Sequence, residues 1–152
     1  MTGIVARQRK DVKMQELTRE NAARLSEQAA ALAMQEFKRP VCVAVCDALG
    51  FLSAFVRMDG SPVRSIDISQ GKAYSAVRMG TSTQALLARI QREGIAIGYF
   101  CDPRLTALPG GSVLKDVSGS IIGGIGVSGL TSEQDQVVTD RIAEQFLSAV
   151  TA

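Results

Sequence analysis

The chain has 152 residues, 46% of them hydrophobic and 21% charged. That is enough for one globular domain with its own core, and it excludes a disordered or collagen-like chain. Seventeen Lys and Arg against fifteen Asp and Glu leave a net charge of +2, too little positive charge to mark a nucleic-acid binder. Histidine is absent, which removes Ser-His-Asp and Cys-His catalysis, histidine-bearing metal sites and an axial histidine for haem.

No apolar run approaches the ~20 residues that span a bilayer, so no membrane partner is expected. Cys42, Cys46 and Cys101 are odd in number and not spaced as a disulfide framework, which fits a reduced, cytoplasmic setting. Residues 1–16, MTGIVARQRKDVKMQE, read as a polar N-terminal extension. Arg7, Arg9, Lys10, Lys13 and the later Arg19 are expected on a solvated tail rather than against nucleic acid. Residues 17–152 then form a single domain.

From Thr18 to Lys38 apolar residues recur with helical spacing at Ala22, Leu25, Ala29, Leu32, Ala33 and Phe37. Thr18 is a good N-cap, and Pro40 closes the segment. Val41 to Cys46 is rich in β-branched residues and reads as a buried strand. Asp47-Ala48-Leu49-Gly50 turns the chain into a second strand, Phe51 to Arg57, making an antiparallel hairpin. Met58 to Pro62 is a loop by composition. Helical spacing resumes from Ile66 through Met79, carrying Lys72, Ala73, Ala76 and Val77, and Gly80 ends it. Thr81-Ser82-Thr83 caps another helix to about Arg92, stopped by Gly94. Ile95 to Phe100, Leu105 to Leu108, Val113 to Asp116 and Ser120 to Val127 are predicted strands. Thr131-Ser132-Glu133-Gln134 opens a last amphipathic helix with Val137, Val138, Ile142, Phe146 and Leu147 inward. This order predicts an α+β domain with helices on the faces of a roughly five-stranded antiparallel sheet.

Gly124-Ile125-Gly126-Val127-Ser128-Gly129 fits G-x-G-x-x-G, but the glycines lie inside an apolar strand rather than between strand and helix. Close backbone packing explains them better than dinucleotide binding. Pro109-Gly110-Gly111 reads as a hairpin turn whose amides suit an anion. Arg57, Asp59 and Lys72 near one sheet end suit either a surface ion network or a carboxylate site with a proton-transfer group. Asp102 and Asp116 are expected to cap turns, and Asp135 to meet the positive end of the last helix. Cys42 and Cys46 share one strand face and are expected in the core. Cys101 is the expected exposed thiol.

Arg57-Met58-Asp59-Gly60-Ser61, Lys72-Ala73, Pro109-Gly110-Gly111 and Gly123 to Gly129, with Asp135 beyond, together resemble the GlcG/HbpS family, also known as the haem-degrading or PduO C-terminal-like family. The resemblance runs in order from about Thr18 to Val150. It implies a three-layer α-β-α fold around a five-stranded antiparallel sheet and a homo-oligomer, from dimers up to rings or octamers. Some relatives bind haem or cobalamin-related tetrapyrroles. Ser112-Val113 stands where the family usually has a small apolar residue and proline. The missing histidine makes histidine-ligated haem impossible here, leaving Cys101, Tyr99, a methionine or apolar enclosure to hold it.

Two functional expectations follow. In the first, the chain binds a small molecule, haem or another carboxylate-bearing ligand, through Arg57, Asp59, Lys72, Pro109, Gly110 and Gly111, with no metal site expected. In the second, it is a cofactor-free isomerase, hydratase or lyase acting on a small carbonyl acid. There Asp59 or Lys72 transfers the proton while Arg57 and the turn amides stabilise an enolate. In both, Arg57, Lys72 and the Gly110-Gly111 turn line one pocket, with Arg57 and Lys72 at its surface.

Overall fold

The computed structural model describes residues 16–151; apart from Glu16, the predicted polar extension lies outside the described residues. Helix α1 spans Arg19–Phe37. As expected, Thr18 caps it: its side-chain oxygen accepts the Asn21 amide at 3.0 Å, satisfying one of the amides a helix start leaves open. Its buried stripe is mostly small, with Ala22, Leu25, Ala29 and Ala33 facing inward, so the helix can lie close to the sheet.

The hairpin follows as β1, Cys42–Asp47, and β2, Leu52–Arg57. The Asp47 carboxylate accepts the Leu49 and Phe51 amides at 2.9 and 3.0 Å and fixes the turn between them. Next come α2, Ser65–Met79, and α3, Thr83–Glu93, the second capped by Ser82. Strands β3, Gly111–Lys115, and β4, Ile121–Ser128, precede the final helix α4, Ser132–Thr151. A reciprocal pair of bonds between Thr131 and Gln134 starts α4, the capping box its sequence predicts.

All strand pairs are antiparallel, in the order β2-β1-β4-β3. Helices α1 and α4 pack on one face and α2 on the other. Strand β1 is buried on both sides, with Val43 and Val45 meeting α1 and α4 while Ala44 and Cys46 meet α2. Each fully buried aliphatic side chain of this kind contributes about 1.5–3 kcal/mol. The glycines of β4 work as packing elements. A Cβ at Gly124 would lie 2.7 Å from the Ala73 carbonyl oxygen, and one at Gly126 would lie 2.6 Å from the Ala73 nitrogen. Bare backbone therefore lets α2 sit directly on the sheet. Ile122 is the extra residue of a bulge opposite Leu114 and Lys115. It shifts side-chain parity, so Ile122 joins the core under α1 and α4 while Ile121 packs on the α2 side.

The sheet has four strands rather than the five expected. Ile95 to Phe100 is no strand: Ile97–Phe100 forms one 3-10 turn between Gly94 and Cys101, both in left-handed backbone. Leu105 to Leu108 is irregular as well. Ile97 and Leu105 instead line an apolar groove with Leu87 and Ile90 of α3. They rest, partly covered, against a helix rather than pairing along a sheet edge. Two inward positions predicted for α4 also differ. Val138, Ile142 and Phe146 are buried at four-residue spacing, whereas Val137 and Leu147 fall off that stripe and are exposed.

Candidate functional site

Lys72 is fully buried, at 0% exposure. Its residue faces the glycine surface of β4, so its long side chain must run beneath the turn ahead of β3. The ammonium donates to the Val127 carbonyl and to Asp135 Oδ2, both at 2.8 Å. Asp135 lies in the first turn of α4, and its other oxygen accepts the Leu130 amide at 3.1 Å. Burial lowers the Lys72 ammonium below its ordinary value, and Asp135 partly restores it. Burial likewise raises the Asp135 carboxyl, against the pull of Lys72. Each partner offsets the desolvation of the other.

The Pro109-Gly110-Gly111 turn closes over this pair. Gly110 has φ +126°, and a Cβ there would lie 2.7 Å from both Lys72 Nζ and Asp135 Cβ. The turn amides are not open to an anion. Gly110 donates to Gln136 Oε1 at 2.7 Å and Gly111 to Thr83 Oγ1 at 2.9 Å. Gln136 returns a bond to the Gly111 carbonyl and reaches Ser112 and Asp140. The result is a buried polar knot joining α2, α3, β3 and α4. Among the described residues, no buried side-chain nitrogen or oxygen lacks a partner.

The structure therefore brings Lys72 and the Pro109-Gly110-Gly111 turn together as expected, but in the interior. Lys72 does not stand at a pocket surface. Arg57 and Asp59 are exposed, at the end of β2 and in the loop beyond it. Neither bonds to Lys72, whose ionic partner is Asp135. Arg57 stands opposite Cys42 in the hairpin register. Burial raises the Cys42 thiol, while a bond with Ser61 and the nearby Arg57 charge pull it back. Cys46 is pushed up to about 12, mainly by burial.

Thr83 reads locally as part of a helix-capping run, and neither its bond to Gly111, the role of Gln136 nor the Asp135 partnership has a local signature. Lys72 and Asp135 are separated by 63 positions. The one available signal was a helix-start aspartate, which also has an obvious local explanation. Asp116 behaves as expected, accepting the Ser118 and Ser120 amides at its turn. Among soft or anionic groups, Cys101 is exposed and Tyr99 stands out from the 3-10 turn. The Met58 sulfur accepts the Val41 amide at 3.4 Å. Among the described residues no three Cys, Asp or Glu side chains gather to hold a metal ion.

Residues 17–144 match the family model described as "Haem degrading protein HbpS-like". The chain is 31% identical over 126 residues to an uncharacterised 15.0 kDa protein of Citrobacter freundii, encoded between dhaT and dhaS. That match covers 82% of this chain and 89% of the relative. It is also 31% identical to the corrinoid adenosyltransferase PduO of the same organism, covering 88% of this chain but only 41% of PduO. Among solved structures, a PduOC:haem complex is 28% identical with a TM-score of 0.70, covering 80% of this chain and 88% of the other. A double mutant of Streptomyces reticuli HbpS is 27% identical with a TM-score of 0.77, covering 95% and 97%.

Proposed function

The chain belongs to the HbpS-like family, and from that membership we propose that it binds a small molecule carrying carboxylates on a flat apolar body, haem being the first to test. The observation that carries this reading is the related domain solved with haem, which aligns with 80% of this chain. Arg57, exposed beside Asp59, reads a carboxylate of the ligand; its fork of donors suits that geometry. Lys72, Pro109, Gly110 and Gly111 hold the frame behind it, through the bonds to Asp135, Gln136 and Thr83.

Bound haem would bring a redox-capable iron, and this chain would hold it without histidine. Among the described residues, Cys101, Tyr99 and Met34 are exposed groups chemically suited to iron. Met58 is engaged with Val41, and Cys42 and Cys46 are buried. The proposal includes a homo-oligomer in a cytoplasmic setting. Leu49 and Phe51, 66% and 60% exposed at the tip of the β1–β2 hairpin, support a self-associating surface.

Titration with haemin, followed by visible spectroscopy, tests the reading. Saturable binding is expected, with a spectrum unlike that of bis-histidine haem. Cys101→Ala or Tyr99→Phe should change that spectrum, identifying the ligand. Arg57→Ala should weaken binding about tenfold, roughly 1.4 kcal/mol for a lost charge-assisted contact. Haemin that fails to saturate the protein would remove haem as the ligand.

A further inference from the structure

A second cationic feature lies apart from Arg57, at the opposite end of β1. The Tyr74 ring, buried on α2, carries two guanidinium groups: Arg104 at 3.9 Å and Arg78 at 5.0 Å from its centroid. The loop bearing Arg104 is stapled to α2 twice. The Tyr74 hydroxyl donates to Asp102 Oδ2 at 2.5 Å, and the Thr106 amide donates to Ser75 Oγ at 2.8 Å. Asp102 also uses Oδ1 to accept the Arg104 amide at 3.0 Å. Each Asp102 oxygen thus already accepts one hydrogen bond, while its charge is shared between Arg78 and Arg104. Among the described residues, neither Arg78 nor Arg104 reaches an acidic side chain at ion-pair distance.

Arg104 lines a cavity of about 30 Å³ between α2 and the hairpin, together with Ala44, Cys46, Gly50, Leu52, Gln70 and Ala73, and Arg78 Nε stands 3.5 Å from where a Cβ on Gly50 would lie. That volume holds one water or one carboxylate head. Leu52, half exposed at its rim, offers an apolar shelf outside. Cation–π stacking leaves the guanidinium edges free to donate, and two of them beside one small polar hole favour an anion. Arg57 sits opposite Cys42, four residues before Cys46 on β1, hence about 13 Å away along the strand.

We propose that Arg104 and Arg78, positioned by Tyr74 and Asp102, form a seat for the carboxylate of a small organic acid whose apolar body rests on Leu52. The inference rests on the ligand-binding reading above only in taking a carboxylate as the polar group. Tyr74 acts here as a positioning residue: its hydroxyl keeps Asp102 from swinging onto Arg104.

Calorimetric titration of the full chain with benzoate, benzamide and inorganic phosphate tests the seat. Benzoate should bind saturably, and benzamide, its neutral isostere, at least tenfold more weakly. Arg104→Gln should lower benzoate affinity about tenfold, while Arg24→Gln on α1 leaves it unchanged. Tyr74→Phe should also weaken benzoate, and Tyr74→Phe with Asp102→Asn should recover part of the loss, which a merely structural role would not produce. Equal binding of benzamide, preference for phosphate, or an Arg104→Gln affinity within twofold of the parent would overturn the seat. Haemin titration of the same proteins separates the two readings. Benzoate binding without haemin binding leaves the seat standing alone, whereas haemin binding with no benzoate response removes the seat.

Discussion

Lys72 and Asp135 show how one buried contact constrains distant parts of the chain. Removing one partner leaves the other charge without compensation in the interior. Asp135→Asn should therefore lower unfolding stability by about 3–5 kcal/mol, a typical cost for breaking a buried pair. Lys72→Met with Asp135→Asn should cost less than the sum of the single changes. Urea denaturation of the four proteins measures this coupling, and strict additivity would remove it. The thiols make a second test. Of Cys42, Cys46 and Cys101, only the last is exposed, so a native thiol assay at pH 8 should count one reactive group and a denatured one three. Cys46 rises from 9.0 in the unfolded chain to about 12 in the fold. The folded state then holds a proton that the unfolded state releases between those values. This stabilisation is complete below pH 9 and is lost as pH climbs towards 12, with a slope near 1.4 kcal/mol per pH unit at most. Cys46→Ala should flatten that alkaline decline in denaturation curves; an unchanged slope would assign it elsewhere.

At the level of elements, β4 and α2 are fitted to each other through missing side chains. A methyl at Gly126 would meet the backbone of Ser69 and Ala73, and backbone there cannot step aside without moving α2. Gly126→Ala should cost several kcal/mol, within the range of severe overpacking, about 1–3 kcal/mol or more. Gly98→Ala is the matched control, because a Cβ there meets nothing within 4 Å. Thermal unfolding should separate the two by at least several degrees, and similar melting temperatures would count against the packing role. The 3-10 turn at Ile97–Phe100 carries the opposite lesson. Its alternating apolar residues resemble a strand, yet α3 supplied the nearer apolar surface.

For the whole molecule, the arrangement leaves β2 and β3 as sheet edges, with the apolar hairpin tip beside the first. Exposed edges and apolar patches invite pairing with another copy. Sedimentation at micromolar concentration should show a species larger than the 16.1 kDa monomer. Leu49→Asp with Phe51→Asp should shift it towards the monomer without loss of helix content. A single monomeric boundary for the parent protein would refute self-association.

Local signals in the chain determined much of this architecture: the caps at Thr18, Ser82 and Thr131, the β-branched run of β1, the hairpin and the packing role of the β4 glycines. Each depends on residues within a few positions, so neighbouring chemistry is enough to read it. The placement of Lys72 beside the Pro109-Gly110-Gly111 turn was also legible, because the expected sheet put those elements at one end. Tertiary structure alone decided that Lys72 pairs with Asp135, that Gln136 and Thr83 consume the turn amides, and that Tyr74 gathers Arg78 and Arg104. The most distant of those contacts joins α2 to α4 across 63 positions. Their partners are selected by which faces the sheet brings together, and the local sequence also offers each of those residues an ordinary role as a cap, a surface charge or a core ring.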